Sequence, residues 1–325
     1  MKILIIGDPH YSKSNEEETD QAEREIERVI KISKPDKIVI LGDTIDTLHN
    51  ISLTRATKWL LDLNSSHSVT LLIGNHDRTS NQDYMSEYHP FVALEDRMDI
   101  INQTKVDNDI LYVPYVPDGR FKEAIEGINM KNIKLVFCHQ FFEGCGFAAR
   151  DIAPSVRTIS GHIHTRMILK NGVSSEPDKL LLSSGKYDVY YPGSLLCKTF
   201  ADAPDRYIAV VDSESGSITE YKINVPVRIT YKIENSLYKK DELILKSASK
   251  YTRFEIVGTA DEIKKINKDK KIINAKSNGA AFIIRCSHVD KVEPIPMESY
   301  ETQLTTRIIN HSERAHHILA SILSE

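Results

Sequence analysis

Residues 37–46 read KIVILGDTID. Ile38 to Leu41 form an apolar run too short for a helix and without polar alternation, which is how a strand covered on both faces reads. The run ends on Gly42 and then on two carboxylates, Asp43 and Asp46. The same grammar recurs in KILIIGDPH (2–10), VTLLIGNHD (69–77), IKLVFCH (133–139) and RTISGHIH (157–164). Helical patterns lie between these runs: a charged segment over Glu16–Lys34, then Leu53–Leu63 with Leu53, Ala56, Leu60 and Leu63 in step, then Phe121–Ile128. Strands alternating with helices imply an α/β sandwich. In such sheets ligands bind beyond the carboxyl ends of the strands, so five strand ends carrying His, Asp or Asn read as one composite site. Gly7, Gly42 and Gly74 are expected at the turns, where the backbone bends sharply.

The stretch SGHIHTRM (160–167) poses a problem of direction. Continued as a strand, it would send His162 and His164 to opposite faces. Two imidazoles aimed apart make sense if each serves a different metal. Together the strand ends offer Asp8, His10, Asp43, Asn75, His139, His162 and His164. That is more than the three or so protein ligands of a single catalytic metal. It suits two metals sharing a carboxylate, the usual device for phosphate-ester hydrolysis. Oxygen and imidazole donors without thiolate point to Mn²⁺, Fe²⁺ or Zn²⁺.

The rest of the 325-residue chain sets the context. Hydrophobic residues make up 41% and charged residues 27%, an ordinary globular balance. Cys138, Cys145, Cys197 and Cys286 show no CxxC pairing, which argues against a disulfide framework or thiolate zinc site and fits a reducing cytosol. The first residues are too briefly apolar for a signal peptide and no run approaches a membrane span, so a soluble cytoplasmic protein is expected. After Thr165 the segments LLLSS, YDVYY, RYIAVVD and SITEYKI read as β and are expected to finish a second sheet. The net charge of −4 is uneven: Pro226–Pro296 carries 15 Lys/Arg against 9 Asp/Glu. In that segment strands are expected near Val227–Ile233, Arg253–Val257 and Ala281–Cys286, with a lysine-rich helix near Asp261–Lys268. Residues Ser299–Leu323 carry an amphipathic helical stripe.

The ordered set DxH, GDxxD, GNHD, a lone His and GHxH, spanning residues 8–164, resembles the calcineurin-like metallophosphoesterase superfamily. The resemblance implies a two-sheet αββα sandwich with a small α+β capping domain and a C-terminal helix. It divides the chain into a phosphoesterase domain (1–225), a small basic domain (226–296) and a helical segment (297–325). By the same resemblance Asp8, His10 and His164 would hold one metal, Asn75, His139 and His162 the other, with Asp43 bridging. His76 would act at the leaving oxygen, and the Asp46 carboxylate would orient it. The remaining histidines, among them His49, His67 and His89, read as surface or packing residues.

Fold does not settle substrate. Thr47-Leu48 follows GDxxD where protein phosphatases have Arg-Gly. Tyr191-Pro192-Gly193-Ser194, then Phe200, resembles the YPGS…F segment of SbcD-type DNA-repair nucleases, as does the domain layout, in the compact form of phage and viral members. That resemblance implies a Mn²⁺-dependent homodimeric nuclease, a double-strand exonuclease and single-strand endonuclease, partnered by an SbcC-type coiled-coil ATPase. The chain departs from the nuclease pattern at Tyr11-Ser12, where Leu-Gly is usual, and at Ile45, where an aromatic is usual. Lys264, Lys265, Lys268, Lys270, Lys271 and Lys276 are the candidate DNA contacts. The helix around Trp59 is a candidate dimer element, or packs on its own sheet. The alternatives are a stand-alone enzyme acting on a small nucleotide ester, and a non-catalytic DNA-end-binding scaffold.

Overall fold

The apolar run after Met1 forms strand β1 (Lys2–Ile6). Its side chains divide between two layers, with Ile3 and Ile5 in one core and Leu4 and Ile6 in another. Both faces of the strand are therefore covered, as its unbroken hydrophobicity requires. The protein is seen in a computed structural model that describes residues 1–146, 149–234 and 248–286. Parallel neighbours β2 (Lys37–Ile40), β3 (Val69–Leu72) and β4 (Asp99–Ile101) extend the sheet from β1 on one side. Antiparallel β12 (Arg206–Asp212) and β13 (Ile218–Ile223) complete it on the other.

A second sheet contains β5 (Lys105–Asp107), β6 (Ile110–Val113), β7 (Leu135–Cys138), β8 (Thr158–Ser160), β9 (Met167–Lys170), β10 (Val173–Ser175) and β11 (Val189–Tyr191). Its order is β10-β9-β11-β8-β7-β6-β5, and β6, β7, β8 and β11 run parallel. Ile3, Ile5, Val39 and Leu72 of the first sheet meet Tyr112, Phe137, Ile159 and Tyr190 of the second in the central core. Helices α1 (Glu16–Ser33) and α2 (Asn50–Asn64) cover the outer face of the first sheet. Three glutamates in the first turn of α1 complement its dipole, worth about 0.3–1 kcal/mol. Burying Ile26 and Val29 beneath it contributes about 1.5–3 kcal/mol each, so packing dominates. Phe121, Ala124 and Phe142 cover the outer face of the second sheet. The result is the expected α/β sandwich of the metallophosphoesterase type. No helix among the described residues is long and apolar enough to cross a membrane.

Several local expectations are corrected. Leu180–Ser184 belongs to a helix (Lys179–Ser184), because Asp178 caps its N-terminus and Gly185 ends it in the left-handed region. The helix expected over Phe121–Ile128 stops at Ala124 after a single turn, ahead of Gly127 at φ 78°. The strands after Thr165 do not all join the second sheet: β12 and β13 return to the first. Trp59 is buried against the Tyr11 ring, 5.4 Å between centroids, so it packs on its own sheet.

A third sheet of three parallel strands, Ile229–Glu234, Thr252–Gly258 and Ala281–Cys286, carries helices Ala260–Asn267 and Lys270–Ser277 around Phe254, Ile256, Ile266 and Ile272. The second of these helices, started by Asp269, was not anticipated. This unit contacts the sandwich at α1, where Lys250 Nζ lies 2.9 Å from Glu17 Oε2. The helix expected over Ser299–Leu323 falls outside the described residues.

Candidate active site

Strands β1, β2 and β3 of the first sheet and β7 and β8 of the second all end at one place. Asp8 and His10 follow β1, Asp43 and Asp46 follow β2, and Asn75 and His76 follow β3. His139 follows β7, and His162 and His164 follow β8. The seven predicted ligands therefore converge from two sheets. His10 Nε2 lies 2.9 Å from His164 Nε2 and 3.8 Å from Asp43 Oδ2, and His164 Nε2 lies 3.9 Å from Asp8 Oδ2. On the other side His139 Nε2 lies 3.1 Å from Asn75 Oδ1 and 3.3 Å from Asp43 Oδ2. His162 Nδ1 lies 2.7 Å from Asn75 Oδ1. Among the described residues the donors form three groups: Asp8–His10–Asp43–His164 and Asp43–His139–His162, which share Asp43, and His10–Asp46–His76 at the side of the first.

The separation of His162 from His164 has a different origin from the one expected. Strand β8 stops at Ser160, before either histidine. The divergence comes instead from His162, held at φ 74° in the left-handed region. His10 (φ 50°) and Asp43 (φ 47°) share that conformation. For non-glycine residues it costs on the order of 1–3 kcal/mol each and persists only where the surroundings over-determine it. Here they do. Asp8 Oδ2 accepts the His162 N–H at 2.9 Å, the Asp43 carbonyl accepts the His10 N–H at 2.9 Å, and Asp43 Oδ1 accepts the His76 N–H at 2.8 Å. Buried Asp77 accepts the N–H groups of Thr44, Ile45 and Gly74 at 3.1–3.2 Å, joining the loops after β2 and β3. Gly42 does adopt a left-handed turn (φ 105°), but Gly74 serves close approach, since a Cβ there would lie 2.2 Å from Asp43 Oδ1.

The two departures from the nuclease pattern prove to be neighbours. Tyr11 and Ile45 pair in an isolated parallel bridge between the first two loops. Tyr11 donates its hydroxyl to Glu23 Oε1 at 2.7 Å.

His76 stands at the mouth with its side chain 36% exposed and Nε2 4.0 Å from Asp43 Oδ2. Its Nδ1 lies 2.6 Å from the main-chain carbonyl of Asp46, so that N–H donates there and Nε2 is left on the side of Asp43. This corrects the role expected for Asp46: its carboxylate does not touch His76. It accepts instead from Lys198 Nζ at 2.5 Å and lies 3.4 Å from His10 Nδ1. Sequence reading missed Lys198 altogether. It lies in the connector after β11, well beyond the strand's end at Tyr191, where the strand-end pattern gives no signal.

The donor set fits divalent cations. Asp8 and Asp43 are buried, and Asp8 Oδ1 has no hydrogen-bond partner. A buried carboxylate oxygen so left is costly unless a cation compensates it. Burial, with the Asp43 charge adding, pushes Asp8 up to about 7. Burial also raises Asp43, but His139, His10 and His76 outweigh it and hold this carboxyl well below the usual range. Burial alone would lower His139, yet Asp43 and Asp8 carry it up to about 9. Burial, reinforced by His139, lowers His162 to about 3; burial, reinforced by His10, lowers His164 to about 4. In the metal-free site both shifts favour the protonated forms of His139 and Asp8, and a cation must displace what proton they hold. Titrating Mn²⁺ calorimetrically at pH 7 in two buffers of different ionisation enthalpy is expected to reveal release of at least one proton per chain. Affinity is expected to fall as pH drops from about 9. Heats independent of buffer would contradict this.

Not every predicted residue joins the cluster. Lys264 and Lys265 on the first helix of the third sheet, Lys268 in the turn after it, and Lys270 and Lys271 on the second are all exposed. Lys276 donates to Asn267 Oδ1 and lies over the Phe282 ring. His49 caps α2, and His89 is buried against Glu95, as packing roles require.

The match to known proteins follows the same residues. Residues 1–166 match the family model described as calcineurin-like phosphoesterase. The chain belongs to that family. It is similar to "Putative phosphoesterase 244L" of Invertebrate iridescent virus 6, 31% identical over 243 residues, covering 69% of this chain and 80% of that protein. It is also similar to "Putative phosphoesterase 078R" of Invertebrate iridescent virus 3, 28% identical over 250 residues, covering 70% and 67% respectively. Among solved structures it resembles YfcE, a phosphoesterase from E. coli, at 14% identity and a TM-score of 0.36, over 69% of this chain and 100% of that one. As a calcineurin-like phosphoesterase the protein is a phosphoester hydrolase of the metal-dependent kind, and its paired donor groups are the part of the fold that fits divalent metal.

Proposed function

We propose that this phosphoesterase is a Mn²⁺-dependent DNA nuclease, acting on phosphodiesters at the strand-end site, as the nuclease subunit of an SbcC–SbcD-like repair complex. The observation that carries the hydrolytic part is the pair of donor groups sharing Asp43, with His76 beside them at the mouth. Asp8, His10 and His164 would hold one cation and Asn75, His139 and His162 the other. Such ions supply Lewis acidity toward a phosphate and lower the pKa of water. The chain's own groups do the rest. Asp43 fixes both donor groups relative to each other. The His76 main chain is tied to Asp43 Oδ1, and its ring is aimed by the Asp46 carbonyl through Nδ1–H, so that Nε2, when it too carries a proton, is placed to give it to a leaving oxygen.

The nuclease reading is supported by the YPGS…F segment and by the exposed lysines on a unit that docks against the sandwich. Homodimerisation and ATPase docking through residues 297–325 belong to the same proposal. A stand-alone enzyme acting on a small nucleotide ester is the second reading, favoured by the relatives' description simply as phosphoesterases.

One experiment separates them. Purified protein is offered a labelled DNA duplex and a chromogenic phosphodiester, each with Mn²⁺, Mg²⁺ or EDTA. Mn²⁺-dependent degradation of DNA is expected; rapid turnover of the small ester with DNA left intact would favour the second reading. Reversing Lys264, Lys265 and Lys268 to Glu is expected to weaken duplex binding and flatten its salt dependence by about one log–log unit per lost phosphate contact. An unchanged salt slope would remove the lysine face from the account.

A further inference from the structure

The connector between β11 and β12 touches the site at several points. Ser194 N–H and Leu195 N–H donate to the His164 and Asp8 carbonyls at 3.2 and 3.3 Å. Buried Arg206 donates through Nη1 to the same His164 carbonyl at 2.9 Å. Lys198 reaches furthest, with Nζ 2.5 Å from Asp46 Oδ1 and 3.3 Å from His10 Nδ1. Asp46 thus meets two histidines through two different groups: its carboxylate stands behind His10, and its carbonyl takes His76. The ammonium of Lys198 is the cation that fixes this residue. Its side chain is only 20% exposed and already engaged, which leaves it poorly placed to bind substrate itself.

A lysine on a loose loop would hold nothing, but this loop is pinned from both sides. Lys198 N–H and Thr199 N–H donate to Asp202 Oδ2 at 2.7 and 3.0 Å, and Arg206 Nη2 lies 3.3 Å from the same oxygen. From the residue just ahead of the third sheet's first strand, Arg228 Nε donates to the carbonyl of Cys197 at 3.0 Å. The guanidiniums of Arg228 and Arg253 both lie over the Phe200 ring, 5.7 and 4.9 Å from its centre.

We propose that Lys198 is a positioning residue for the hydrolytic site: it locks Asp46, and through it the His76 ring, and the third sheet sets Lys198 through the Arg228–Cys197 contact. The inference rests on the role assigned to His76 above. Groups that orient the residues of a metal site commonly change activity by about 10- to 100-fold when removed.

The test uses the full chain labelled with ¹⁵N-histidine, metal-free and Zn²⁺-loaded, with His76→Gln identifying the His76 ring signals. The wild type is expected to show His76 as a single tautomer protonated at Nδ1. Lys198→Met is expected to shift those signals and to lower kcat on a chromogenic phosphodiester about tenfold, with KM little changed. Lys198→Arg is expected to restore most of both. Arg228→Gln, remote from the site, is expected to shift the His76 signals in the same direction by less. Wild-type His76 signals in Lys198→Met, or no shift in Arg228→Gln, would overturn the proposal. If Lys198→Met does not fold, Arg228→Gln decides alone by the same signals. Absence of phosphodiester turnover in the wild type would defeat the proposed function, while the ring spectra would still test the Lys198 link.

Discussion

Asp43→Asn is expected to abolish metal binding at both donor groups and, with it, phosphodiester turnover. Asn is the informative replacement because it keeps the side-chain shape and tolerates the left-handed backbone that Asp43 adopts, whereas Ala would add backbone strain to the result. What changes is the charge. Asp43 Oδ2 lies 3.8 Å from His10 Nε2 on one side and 3.3 Å from His139 Nε2 on the other. No other residue belongs to both of these donor groups. Removing one partner from a buried ionic cluster costs about 3–5 kcal/mol, a factor of roughly a hundred to several thousand in affinity. Metal content measured on the purified variant should fall at both sites together. Retention of one full equivalent would show that the groups are not coupled through Asp43. Thermal unfolding of the metal-free forms keeps loss of folding separate from loss of metal.

His76→Ala is expected to do the reverse, keeping the metal and losing the rate. The ring sits outside the two groups that share Asp43, is partly exposed, and is held by a carbonyl rather than by a carboxylate. General acid–base groups of this kind contribute about 10²–10⁴-fold. The variant should therefore bind metal normally and show kcat reduced within that range, with KM little affected. Loss of metal in parallel with activity would recast His76 as a ligand.

Most of the site was legible because its signal is local. An apolar run, a turn and a donor are contiguous in sequence, and chain-end convergence follows from parallel strands opening at one edge. What escaped is tertiary. Nothing near Lys198 marks it as a partner of Asp46, 152 positions away, because a single lysine after a strand is ordinary. The Asp46 carboxylate was assigned to His76 by chemistry alone, and only the loop geometry reveals that its carbonyl does that work. Period-based reading failed at Leu180–Ser184 because three leucines and two serines fit either element, and the caps at Asp178 and Gly185 decided for helix. At His162 the expected cause was wrong: a left-handed residue, not the pleat, turns the two histidines apart.

The central claim is that two metals are held here with Asp43 between them and one histidine of the Gly161–His164 turn on each. A crystal structure of the Mn²⁺-loaded protein, with the ions located by anomalous scattering, tests it directly. The account predicts two peaks, His164 grouped with Asp8 and His10 at one, His162 grouped with Asn75 and His139 at the other, and Asp43 touching both. A single peak, or both histidines on the same ion, would contradict it.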